Sequence, residues 1–90
     1  MKPVLKQEEA VFFVTTAEFI TFITQNSDME WNACCDFLKS SGICDDGNAL
    51  YEKEEILAKD ADYNEEQIKW VGGFFKAHPW IERMRIVFDD

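Results

Sequence analysis

Ala10-Val11-Phe12-Phe13-Val14-Thr15-Thr16-Ala17-Glu18 is the stretch on which the fold class turns. Read as one helix, it makes the chain all-α; read as a strand that stops at Thr15, it makes the chain α+β. The run Ala10–Val14 is short, aromatic and β-branched, which suits a strand buried on both faces. Thr15 followed three residues later by Glu18 is a capping-box pattern, in which the hydroxyl and the carboxylate each satisfy a backbone amide at a helix start. A strand over Val11–Val14 feeding a helix is therefore expected. Phe19, Ile20, Phe22 and Ile23 then recur at helical spacing, and this helix should end near Asn26.

Working outward, Ser27 and Glu30 repeat the capping-box spacing and predict a second helix. On it Trp31, Cys34, Cys35 and Leu38 share one stripe, with Asp28, Asn32, Asp36 and Lys39 on the wet side. Gly42 is placed to stop it in a left-handed conformation. Asp45-Asp46-Gly47-Asn48 reads as a turn, with Asp46 or Asn48 capping a third helix through Lys59. Asp62 or Asn64 opens a fourth, carrying Ile68, Val71 and Phe75 on one stripe and Trp70 and Phe74 beside it. Gly72-Gly73 interrupts that helix, implying either a close neighbour or a bend, and His78-Pro79 ends it. Met84, Ile86 and Phe88 alternate with Arg83, Arg85 and Val87, which predicts a half-buried strand over Met84–Phe88.

The expectation is an α+β, mostly helical single domain over residues 1–90. About four helices are flanked by short N- and C-terminal strands, in the order β-α-α-α-α-β. Two strands alone are marginal in water, so they should pair with each other under the helices, or pair across a dimer. Residues 1–9 read as an N-terminal arm. Ninety residues leave no room for a second domain, and 47% apolar content with thirteen aromatic residues is enough for a packed core.

Eighteen acids against nine bases give a formal charge of −9. Direct nucleic-acid binding is disfavoured, because phosphate recognition needs a field of lysines and arginines, and an anionic membrane surface is disfavoured for the same reason. The longest uninterrupted apolar run, Ala10–Val14, is far short of a membrane span. Three cysteines with one vicinal pair make a poor disulfide framework, so a reducing, cytoplasmic setting is expected.

Charge is concentrated in one tract. Asp45, Asp46, Glu52, Glu54, Glu55, Asp60, Asp62, Glu65 and Glu66 fall within 22 residues against only Lys53 and Lys59. Acids at helix starts are favoured by the helix dipole, so a plain solvated face is one reading. The other is a surface made for a basic partner, with carboxylates set where phosphates would otherwise sit and with steered association. Tyr63, Trp70 and Trp80 are candidate aromatic anchors beside it.

Other chemistries lack parts. Asp60-x-Asp62-x-Asn64-x-Glu66 begins like a calcium loop, but the sixth position holds Glu65 in place of Gly and the twelfth Val71 in place of Glu. Cys34, Cys35, Cys44 and His78 contain no C-x-x-C pair to anchor zinc. With one histidine and no nucleophile elbow, phosphate-cradling loop or H-E-x-x-H, no enzyme is expected, and no metal or cofactor. In size, charge and lack of catalytic motifs the chain resembles small acidic inhibitors that neutralise basic proteins. These include phage-encoded blockers of nucleic-acid-directed defence and immunity proteins of nuclease toxins. The resemblance implies a monomeric or homodimeric inhibitor that occludes a basic, nucleic-acid-binding surface of a partner enzyme. The alternative is a non-catalytic regulatory or adaptor domain that binds through an aromatic apolar surface.

Overall fold

The capping box at Thr15 forms as the spacing requires: the Glu18 amide donates to Thr15 Oγ1 at 3.0 Å, and the Thr15 amide donates to Glu18 Oε1 at 2.9 Å. In the computed structural model, which describes residues 11–45 and 48–88, that box separates strand β1 (Phe12–Thr15) from helix α1 (Thr16–Gln25). Helix α2 (Trp31–Ser40), strand β2 (Asn48–Glu52), a single-turn helix α3 (Lys53–Ile56), helix α4 (Glu65–Ala77) and strand β3 (Arg83–Val87) follow. The N-terminal arm expected over 1–9 lies outside the described residues.

The two terminal strands pair within the chain, and in parallel, with Val14 opposite Ile86. A third strand corrects the predicted layout. Residues 48–52 are β2, antiparallel to β3 with Tyr51 opposite Met84, and the sheet order is β1-β3-β2. The third helix is accordingly cut to Lys53–Ile56. Pairing with β3 overrides the helix start expected over Asn48–Glu52, since strand formation answers mainly to cross-strand neighbours.

Alternation sorts the sheet into two faces. Val14, Tyr51, Met84 and Ile86 are buried against the helices, together with Phe19, Ile20, Ile23, Cys34, Leu38, Ile56, Val71 and Phe75. The other face carries Phe13 and Leu50, both exposed, on either side of Arg85. The expectation that β1 is buried on both faces is thus overturned: β1 is an edge strand, and Phe12 and Phe13 are 51% and 62% exposed. Phe88, expected inward, lies beyond β3 and is also exposed.

Helix α2 starts later than predicted. Ser27 does not cap it; its hydroxyl donates to the Ile23 carbonyl and accepts from the Met29 amide, closing the end of α1. Glu30 occupies the N-cap without a side-chain bond. The buried stripe is Cys34 and Leu38 with Phe37 packed beside them, while Trp31 and Cys35 face solvent. Gly42 takes φ +81° and ends the segment as expected.

That turn is tied down by α4. Asn64 caps α4 through a box with Gln67, and its Nδ2 donates to the Ser41 carbonyl at 2.8 Å. Gln67 Nε2 donates to the Gly42 carbonyl at 2.8 Å, and the buried Tyr51 hydroxyl donates to the Ile43 carbonyl. Helix α4 runs unbroken through Gly72-Gly73, and of the two expected reasons for the glycines the close neighbour applies at Gly72, where Leu57 sits over the backbone.

Candidate functional site

Helix α3 is one turn long, yet it gathers carboxylates from three parts of the chain. Glu54 and Glu55 occupy its first turn and are exposed. On one side, Glu52, Glu54 and Glu82 line a surface hollow with Arg83. On the other, Glu55, Asp60 and Asp62 line a second hollow with Tyr63. Glu65 and Glu66 project from the first turn of α4, which packs against α3.

The local cations are largely spent inside the domain. Lys53 Nζ lies 3.3 Å from the Glu82 carboxylate and donates to the Pro79 carbonyl at 3.0 Å. Arg83 pairs with Glu52 at 3.0 Å. Lys59 is exposed within the tract. Tyr63 is half-buried and donates to Glu55 Oε1 at 3.3 Å. Burial, followed by the Glu55 charge and that hydrogen bond, holds its phenol above the usual range.

The structure brings together seven of the nine acids read from the sequence. Asp45 is exposed but stands beyond the other end of β2 from Glu52, separated by roughly 14 Å of strand at ~3.4 Å per residue. Asp46 lies outside the described residues. Glu82 was missed, because it is remote from the tract in sequence and reaches it through the pairing of β3 with β2, where the Lys53 amide donates to the Glu82 carbonyl.

The aromatic candidates divide. Trp70 is 6% exposed and belongs to the core, so it is not an exposed anchor; its ring faces Phe22 edge-on and carries Lys69 Nζ 5.0 Å above it. Tyr63 packs against Tyr51 at the acidic hollow. Trp80 is 66% exposed.

Trp80 borders a different feature, a cleft of about 580 Å³ between β1, α1 and the end of α4. Phe12, Phe22, Phe74 and His78 contribute to its walls and Glu18 to its rim. The His78 ring stacks on Phe74 at 4.2 Å, with Nδ1 2.8 Å from the Phe74 carbonyl, and Trp80 stands edge-on to it at 5.3 Å. Phe12 and His78 were not read as neighbours because three distant segments build this cleft.

None of the three cysteines is in a disulfide; Cys34 and Cys44 are buried and Cys35 is exposed. Burial, and then the neighbouring Cys35, raise the Cys34 thiol above its usual range. Among the described residues no cluster of histidine, cysteine and carboxylates could hold a metal ion, and no helix is long and apolar enough to cross a membrane. No protein-family model, curated protein or solved structure matches the chain.

Proposed function

We propose that this domain is a small acidic binding protein that occludes a basic, nucleic-acid-binding surface on a partner enzyme, in the manner of a phage anti-defence protein or a nuclease-toxin immunity protein. The observation that carries the reading is the acidic belt around α3. Glu54, Glu55, Asp60, Asp62, Glu65, Glu66 and Glu82 are exposed there, and Lys53 is turned onto Glu82 and Pro79. A partner lysine or arginine would meet carboxylates held on α3, on α4 and on the segments that flank them. Such a field speeds encounter and orients it. The domain needs no catalytic group for this task; it acts by covering.

The exposure of Phe12 and Trp80 beside one cleft favours a second reading, an adaptor that grips an apolar surface. Salt and charge reversal separate the two. Glu54, Glu55, Glu65 and Glu66 changed together to Lys should abolish capture of the partner from the source lysate, and nucleic acid should compete with capture by the unaltered protein. The helix-dipole penalty of reversing first-turn acids is about 0.3–1 kcal/mol each, so the melting temperature of the variant must be measured alongside. A folded variant that captures the same partner at low salt as well as the unaltered chain does, or capture by the unaltered chain that 0.5 M salt leaves unchanged, would refute the charge-based reading.

A further inference from the structure

The cleft beside Trp80 has a composition that an apolar docking groove does not need. Its lining sets aromatic rings beside the Glu18 carboxylate and the polar side chains of Thr21, Gln25 and Asn26, and includes no lysine or arginine. Aromatic ring faces are electron-rich and attract cations that approach within about 6 Å of the ring centre. Phe12 and Trp80 offer such faces at the mouth, being 51% and 66% exposed. The deeper wall is fixed: Phe22 meets Phe74 edge-on at 5.1 Å, and Phe74 stacks on His78. The carboxylate is fixed too, because the capping box holds Glu18 Oε1 on the Thr15 amide. An aromatic hollow with one positioned anion, in a chain of net charge −9, is complementary to a single cation on a flat or slender stem.

We propose that this cleft receives an arginine side chain of the basic partner, its guanidinium laid against the Trp80 and Phe12 rings and its charge directed to Glu18. The inference rests on the reading of the domain as a binder of basic proteins and assigns a second contact, separate from the α3 belt. Arginine fits better than lysine because its planar, weakly hydrated head stacks on aromatic faces, whereas an ammonium holds its water more tightly.

The test is a titration of the whole chain with a blocked Gly-Arg-Gly peptide, followed by the NMR signals of the Trp80 indole N–H and the His78 ring. Matched peptides carry lysine, norleucine or citrulline, the last being the uncharged isostere. Saturable shifts at both residues are expected with arginine, at least fivefold tighter than with lysine, and none with citrulline. Glu18→Gln keeps a residue able to close the capping box while removing the charge, and should weaken arginine binding at least fivefold. Trp80→Ala, at an exposed position, should abolish it without lowering the melting temperature. Equal binding of citrulline or norleucine, an unchanged Glu18→Gln affinity, or no saturable shift would each overturn the proposal. The variant with four lysines in the α3 belt leaves this cleft intact. Loss of partner capture by that variant with no arginine titration would therefore sink this inference alone; the converse would sink only the belt.

Discussion

Leu57 Cδ2 stands 3.2 Å from the place that a Cβ on Gly72 would occupy, whereas Gly73 has only Phe22 Cζ near it, at 3.9 Å. Glycine inside a helix costs about 1 kcal/mol relative to alanine. Gly73→Ala should therefore raise the unfolding free energy by about 1 kcal/mol, read as a higher urea midpoint with an unchanged slope. Gly72→Ala should gain less, because the half-exposed Leu57 must first shift.

Ile86 and Phe88 lie two residues apart, yet one is fully buried in the central strand and the other is 50% exposed. Ile86→Ala should cost about 2–5 kcal/mol, the range for emptying an aliphatic core site. Phe88→Ala should stay within about 0.5 kcal/mol, as exposed positions do. Thermal melts of the two variants side by side check both.

Tyr51 gives the alkaline limit of the fold. Burial pushes its hydroxyl up to about 12 from 10.0. The unfolded chain then gives up this proton first, so the stabilisation is complete below pH 10, declines as pH rises, and is lost by about pH 12. Two units correspond to about 3 kcal/mol. Burial shifts Tyr63 and Cys34 upward as well, in the same direction. Melting temperature should fall steeply from pH 10 to 12, and less steeply in Tyr51→Phe.

A thiol reagent should distinguish the cysteines by accessibility. Cys35 should react within the mixing time in the native protein, while Cys34 and Cys44 wait for unfolding. Cys44 also has its Sγ 3.8 Å from the Ile86 carbonyl, to which it donates. Three fast thiols without denaturant would contradict the burial of Cys34 and Cys44.

Self-repulsion in the α3 belt should make the domain more stable in salt. Screening shortens the reach of exposed charges to about 10 Å at 0.1 M. The melting temperature should rise between 20 and 500 mM sodium chloride, and the rise should shrink in Asp60→Asn/Asp62→Asn, whose carboxylates line one hollow with Glu55.

Features written in adjacent residues were legible beforehand. Thr15 with Glu18, Gly42, Asn64 and His78-Pro79 each act over a turn of chain, and each marks the boundary that its chemistry implies. β2 was not legible, because Ala49-Leu50-Tyr51 gives only three alternating residues among helix-favouring neighbours and its strand form depends on β3. Phe12 and Phe13 misled for a related reason: a continuous apolar run describes a central strand and an aromatic edge equally well. Of the acidic belt, the sequence held the carboxylates but not the arrival of Glu82. The aromatic cleft depends wholly on the packing of β1 and α1 against the end of α4.

The position of β3 in the middle of the sheet also bears on how the protein can be made. A ribosome that has delivered the chain from Phe12 through Ala77 has supplied both outer strands and all the helices of the described residues, but nothing for those strands to pair with. Until Arg83–Val87 emerges, the nascent chain holds Val14 and Tyr51 without the strand that brings them into one sheet. Contacts between such distant segments form late and slowly, and their absence leaves apolar surface open to aggregation. Assembly of the sheet therefore waits for Arg83–Val87, and until that strand is made the chain holds only what local helix formation supplies.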